Sequence, residues 1–198
     1  MQQLKQTVKG LISAKRFDHT LSVCEKATQL AKHYNLDHDK AYLAALIHDA
    51  AKEYSPNKCK QEGIVLADYS EAIFENYKSI WHALIIDQFG PAVLGISDQD
   101  ILHAAKWHTT GHSQMSELAK VIFVADYIDP LRQYSDQAAI EDLALQSLDD
   151  AMLVILIKTI QFLLKKQATI YEATIDCYNT VLLKSGLDKN IIDELIKL

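Results

Sequence analysis

Six glycines and three prolines are all that punctuate 198 residues, too few turn formers for a fold of many short strands. The shortage favours long helices. With 49% of residues hydrophobic and no shift in composition along the chain, the expectation is one compact domain spanning residues 1–198. Only three cysteines occur, Cys24, Cys59 and Cys177, far apart and without a C-x-x-C pair. That excludes a disulfide framework and a thiolate zinc site, and it fits a reducing compartment. Twenty basic residues face twenty-six acidic ones, a net charge of −6, so no surface for polymeric nucleic acid is expected. A small anion can still bind where metals supply the positive charge. Long apolar runs are missing too: the greasiest, Met152 to Ile157, ends at Lys158, and Met1-Gln2-Gln3-Leu4-Lys5 lacks a signal-peptide core. The expected location is the cytoplasm, away from membranes. Neither a P-loop, nor G-x-G-x-x-G, nor G-x-S-x-G is present, which removes the common nucleotide-loop and serine-hydrolase readings.

What is present centres on Leu43-Ala44-Ala45-Leu46-Ile47-His48-Asp49-Ala50-Ala51-Lys52-Glu53. This run predicts a buried helix, from about Asp39 to Ser55-Pro56, that carries an imidazole and a carboxylate into an apolar place. An ionised Asp there needs a hydrogen bond, a counter-charge or a metal, so the pair is either a structural couple or a cation site. Lys52, four residues after His48, falls on the same helix face.

The other elements are read the same way. Leu4 to Ala14 is an amphipathic opening helix. Asp18 looks like the N-cap of a second, with His19 in its first turn and Arg16 just before the cap. A polar stretch, Asn57 to Gly63, precedes a short helix near Ser70 to Tyr77. The next helix begins at Ser79, carries His82 and is closed by Gly90-Pro91. Ser97-Asp98 caps Gln99 to His108, which ends in Thr109-Thr110-Gly111, the glycine suiting a left-handed turn. Leu118 to Ile128, apolar nearly all round, brings Asp126 inside and stops before Pro130. From Asp136 to Leu198 about four more helices complete the bundle and offer a face for a homodimer. His33, His38 and His112 read as surface residues, His103 as poorly placed, and Trp81 and Trp107 as core.

His19, His48-Asp49, His82, His108 and Asp126 thus each stand at a helix start, a helix end or a buried face. Two carboxylates and several histidines at similar depths are better explained by a shared cation than by separate hydrogen-bonded pairs. The order H…HD…H…H…D resembles the signature of the HD superfamily of metal-dependent phosphohydrolases, and the implied fold is an all-α HD-domain helical bundle. Arg16-x-x-His19-Thr20, His48-Asp49-x-Ala51-Lys52-Glu53, His108-Thr109-Thr110-Gly111 and Ala125-Asp126-Tyr127-Ile128-x-Pro130-x-Arg132 together resemble the YqeK family, bacterial symmetrical diadenosine tetraphosphate hydrolases. Ile170 to Leu183 is similar as well. The chain departs from that pattern at Asp129, where glutamate is usual, and at Ala83, where glycine usually follows the histidine.

The resemblance implies two divalent metals bridged by Asp49, with His19, His48 and Asp126 completing one and His82 with His108 the other. Imidazole and carboxylate ligation suits iron or manganese, and residue types also admit zinc or cobalt. Asp49 and Lys52 are the expected catalytic residues. Arg16, Lys52 and Arg132 would hold phosphate oxygens, with hydrogen bonds from Thr109, Thr110 and the Gly111 backbone. Two such cations can share a hydroxide that attacks the tetraphosphate bridge, giving two ADP from a small dinucleoside polyphosphate. Two rivals stay open: another HD nucleotide phosphohydrolase, such as a nucleotidase or a guanosine polyphosphate hydrolase, and a nucleotide-binding module without chemistry.

Overall fold

Helix α1 (Gln2–Leu11) leads into α2 (Ala14–His33) and α3 (His38–Ile47) in the computed structural model, which describes residues 1–66, 69 and 71–197. Extended backbone at Ile12 ends α1 short of Ala14. Helix α2 starts four residues before the Asp18 cap read from the sequence. Extended Ser13 stands at its N-cap, and the Ser13 N–H donates to the Glu53 carboxylate at 2.9 Å, tying the helix start to the segment after α3. Arg16 and His19, three apart, therefore share one face of a single helix.

Asp37 caps α3 by accepting from the N–H groups of Asp39 (2.9 Å) and Lys40 (3.0 Å). Ala41, Ala44, Ala45, Leu46 and Ile47 are all fully buried along it, as a helix enclosed by others requires. It stops at Ile47 instead of running on to Ser55. The chain then winds more tightly, with three-residue bonds from Ala50 to Ile47, Lys52 to Asp49 and Tyr54 to Ala51, each 3.0 Å. Such winding stacks residues three apart, so Lys52 lies over Asp49 rather than over His48.

Within the stretch read only as polar, Ser55 caps α4 (Pro56–Gln61), where proline at the first helical position sacrifices no hydrogen bond. Then comes α5 (Glu71–Asn76); Ser70, its expected start, lies outside the described residues. The long helix expected from Ser79 is broken into α6 (Trp81–Leu84) and α7 (Ile86–Phe89). Gly90-Pro91 does not close it, because a π-turn over Gly90–Leu94 follows and ends at left-handed Gly95. A Cβ on Gly90 would come 2.5 Å from Leu102 Cδ2 of α8 (Gln99–Lys106), so glycine permits that close crossing. Asp98 caps α8 as expected, and α9 (Glu117–Tyr127) follows, ending before a 3-10 turn at Pro130–Arg132.

The four helices expected from residue 136 onward are α10 (Gln137–Gln146), α11 (Leu148–Lys165), α12 (Glu172–Lys184) and α13 (Lys189–Leu195). Helix α3 packs against α2, α8 and α9, and α11 backs α9. Leu46, Ile47, Leu102, Ile122 and Met152, all fully buried, fill the joint. The described residues contain thirteen α-helices and no strand, and no helix among them is long and apolar enough to cross a membrane. Trp81 is core, as expected. Trp107 is not: it is half-buried and stacks on the ring of His112, with centroids 4.4 Å apart.

Gly111 closes the turn after α8 with φ of 66°, and a Cβ there would also stand 2.6 Å from Cys177 Sγ on α12. Gly111→Ala should therefore lower stability by roughly 2 kcal/mol, through strain and overpacking together. The measurement is the urea midpoint. Adding Cys177→Ala should restore part of the loss, since it relieves the clash and leaves the strained backbone.

Candidate metal centre

Helix ends deliver the six side chains. His48 is the C-cap of α3 with Asp49 next to it, His19 lies in the second turn of α2, His82 in α6, His108 just after α8, and Asp126 in the last turn of α9. All are buried or nearly so, His19 being the most open at 14% side-chain exposure. The Asp126 Oδ1 atom lies 3.0 Å from His19 Nε2 and 3.7 Å from His48 Nε2. Asp49 reaches the other side: its Oδ1 is 2.9 Å from His82 Nε2 and 3.9 Å from His108 Nε2, while Oδ2 is 3.8 Å from His48 Nε2.

Outer hydrogen bonds fix which nitrogen faces inward. A carbonyl can only accept, so the contacts of His48 Nδ1 with Ala45 O (2.6 Å) and of His108 Nδ1 with Ala105 O (2.7 Å) make both Nδ1 atoms donors. Their Nε2 lone pairs then point into the centre. His19 Nδ1 donates likewise to Asp129 Oδ2 at 2.6 Å, and Asp129 is fully buried. His82 Nε2 lies 3.1 Å from Lys52 Nζ and 3.3 Å from His108 Nε2.

Lone pairs thus crowd together with few protons among them, and His48 Nε2 is buried without a hydrogen-bond partner among the described residues. This donor set fits a divalent cation, which would satisfy the orphaned nitrogen and relieve the repulsion. Ligand atoms of His19, His48 and Asp126 lie within 4.8 Å of one another, as do those of His48, Asp49 and His108.

The electrostatics keep three of the histidines neutral and ready to ligate. Burial pushes His48 below its ordinary pKa, lowers His82 to about 4, and with the neighbouring imidazoles pushes His108 well below. For His19, burial is outweighed by the hydrogen bond and charge of Asp126 and the hydrogen bond to Asp129, and its pKa is raised. Burial opposes charge on Asp49 and Asp126 too, but their imidazole and cationic neighbours hold both carboxyls far below the usual range.

Three cations attend these carboxylates. Arg16 contacts Asp49 Oδ2 at 2.6 Å, Lys52 Nζ lies 3.4 Å from Asp49 Oδ1, and Arg132 pairs with Asp126. Arg16, Lys52, Arg132 and Thr109 line a cavity of about 1480 Å³ that reaches His19, Asp49, His108 and Asp126. Thr110 and Gly111 face elsewhere: the Thr110 hydroxyl donates to the Gly111 carbonyl and the Gly111 N–H to Trp107 O. Both groups are committed to the turn.

Asp129 was not legible as part of the centre, although its position before Pro130 and three after Asp126 is the signal that could have found it. Helix α11 contains no ligand cluster, yet Lys158 and Phe162 line the same cavity. His33 and His38 are exposed, and His103 stands apart from the centre.

The HD domain family model matches residues 16–131. A protein of Halalkalibacterium halodurans named symmetrical bis(5'-nucleosyl)-tetraphosphatase is 38% identical over 90% of this chain and 95% of its own length. A Bacillus subtilis protein of the same name is 33% identical over 87% and 92%. Among solved structures, one from Clostridium acetobutylicum, described as a predicted HD superfamily hydrolase involved in NAD metabolism, superposes with a TM-score of 0.77. It is 31% identical, over 93% of this chain and 97% of that one. An HD domain implies divalent-metal binding, and the two His/Asp groups are where this structure could hold the ion. With the family model covering over half of its length and full-length relatives above 30% identity, the chain belongs to the HD superfamily and, within it, to the family of symmetrical bis(5'-nucleosyl)-tetraphosphatases.

Proposed function

We propose that this chain hydrolyses diadenosine tetraphosphate symmetrically, adding one water across the central P–O–P bridge to give two ADP. The observation that carries this reading is a single cavity in which a buried His/Asp centre meets Arg16, Lys52 and Arg132. Near-full-length likeness to proteins named for that reaction supports it. The cavity also exceeds the roughly 300–1,000 Å³ of ordinary small-ligand pockets, as an elongated dinucleotide needs. We take residues 1–198 as one catalytic unit.

His19, His48, Asp49, His82, His108 and Asp126 would hold two divalent metals, iron or manganese by their mixed nitrogen and oxygen donors. When bound, the metals supply hydroxide at neutral pH and electrophilic assistance at phosphorus. The chain's own residues do the rest. Asp49, with one oxygen toward His82 and His108 and the other toward His48, is placed to join the two halves of the centre. Asp129 holds the His19 ring through Nδ1, which keeps Nε2 directed inward. Arg16, Lys52 and Arg132, now held on the carboxylates, are placed to take up tetraphosphate oxygens and to offset charge as the bridge breaks. Thr109 can add a hydrogen bond, since its hydroxyl lacks a partner among the described residues.

Lys52→Ala should retain metal but lower kcat by about 100-fold, the scale for one lost donor to developing charge. Metal content and kcat, measured on the same sample, check this. Product chromatography tests the reaction itself: ADP alone supports it, whereas inorganic phosphate or pyrophosphate would favour another HD nucleotide phosphohydrolase.

A cytoplasmic setting is part of the proposal. All three cysteines are free and buried, with burial raising Cys24 to about 12 and Cys177 to about 11. So is a homodimer through the outer face of α11 and α12, where Leu164, Leu182 and Leu183 are exposed; light scattering tests it.

A further inference from the structure

We propose that the arm of the cavity lined by Tyr134, Phe162 and Lys158 is a binding site for one purine nucleoside end of the substrate. This deepens the reading above and rests on it.

The arm runs outward along α11. Ile155, Lys158, Phe162 and Lys165 recur at intervals of three and four, so they share one helix face, and all four line the cavity. Ile155 is 3% exposed and Phe162 is 56% exposed, and the step of seven residues from one to the other spans about 10 Å of helix. The arm therefore begins at a buried part of the cavity wall and ends at the surface.

From a separate segment of the cavity lining, the residues after Asp126 supply a second aromatic ring. Tyr134 is 44% exposed, yet it is pinned: the Tyr127 ring lies 5.1 Å away, and Arg132, which pairs with Asp126, also engages its hydroxyl. The guanidinium thus links the phosphate-facing centre to the aromatic arm. Lys158 is held too, with Nζ 2.6 Å from Asp136, which also accepts from the Tyr127 hydroxyl at 2.8 Å. Asp136 is 2% exposed, so this anchor is part of the fold and pre-positions the lysine.

Two water-exposed aromatic rings, a fixed ammonium and a second lysine, in one concavity with a centre facing phosphate, match a purine base with its ribose and 5'-phosphate. Stacking supplies affinity without needing a particular hydrogen-bond pattern, and the cations take the anionic end.

The test compares ADP with pyrophosphate as ligands of the metal-loaded protein by calorimetry, since both fill the phosphate centre and only ADP fills the arm. In the wild type ADP should bind more tightly. Phe162→Ala and Tyr134→Ala should each reduce that preference by about tenfold and raise KM for diadenosine tetraphosphate, and Phe162→Ala should leave pyrophosphate affinity and metal content unchanged. Phe162→Trp should preserve the preference. An unchanged preference in both alanine variants overturns the inference, as does an equal loss for both ligands. A changed oligomeric state with the preference intact would assign the face to a second copy of the chain, and overturns it as well. Failure of the wild type to cleave diadenosine tetraphosphate is a separate result: it refutes the proposed reaction, and the ligand comparison still reads the arm.

Discussion

Asp49→Asn is expected to lower turnover of diadenosine tetraphosphate by about a thousandfold or more, some 4 kcal/mol of transition-state stabilisation, and to release bound metal. The substitution preserves volume and one oxygen, so packing is not what it removes. It removes the charge. Asp49 stands with Oδ1 toward His82 and Oδ2 toward Arg16, at 2.9 and 2.6 Å, and reaches the imidazoles on both sides of the centre. A neutral amide can still accept from Arg16, but it would lack the negative charge that the proposed metal centre needs from this position. If Asp49 were only the structural partner of Arg16, Asn would fill that role and activity would stay within about tenfold of wild type. Metal analysis and kcat on one preparation decide between these outcomes.

The second large effect concerns the chelated protein. His48, His82 and His108 have pKa values below 6.5 when folded, chiefly through burial. Below pH 6.5 the unfolded chain therefore binds protons that the folded chain refuses, and stability must fall as pH falls. His82, lowered to about 4, alone contributes a loss of roughly 1 kcal/mol between pH 7 and 5.5, and His48 and His108 act in the same direction. His19 has the opposite sign. Its folded pKa is raised, so its stabilisation is fully present below 6.5 and is lost only as pH rises through the folded value. On acidification it therefore offsets part of the loss, and the three lowered imidazoles outweigh it. The urea midpoint of chelated protein should thus drop between pH 7 and 5.5, and His82→Gln should flatten part of the dependence. A midpoint independent of pH would mean that these imidazoles are not held neutral by burial.

Helix content and the six ligand-type residues were legible because each signal is local: apolar periodicity, capping residues, and polar side chains embedded in greasy runs. Breaks within helices were less so. Nothing in Leu43 to Glu53 announces that α3 ends at Ile47, because the tight winding that follows depends on what Asp49 and Lys52 meet across the centre. The early start of α2 escaped for a related reason, since Ser13 is fixed by Glu53, forty residues away in sequence. Thr110 and Gly111 illustrate the converse. Their motif suggested phosphate contacts, but the turn uses their hydrogen-bonding groups itself, which spacing alone does not reveal. Asp129 and the α11 face were hidden because their roles arise from contacts between distant segments, His19 with Asp129 and Lys158 with Asp136.

Most direct of all is a metal titration of chelated protein, in which iron(II) or manganese(II) is added stepwise under anaerobic conditions while bound metal and ADP production from diadenosine tetraphosphate are followed together. The proposed six-ligand centre predicts negligible turnover without metal, and ADP formation that rises with occupancy and saturates at about two ions per chain. Undiminished turnover in fully chelated protein, or full metal occupancy without ADP formation, would contradict it.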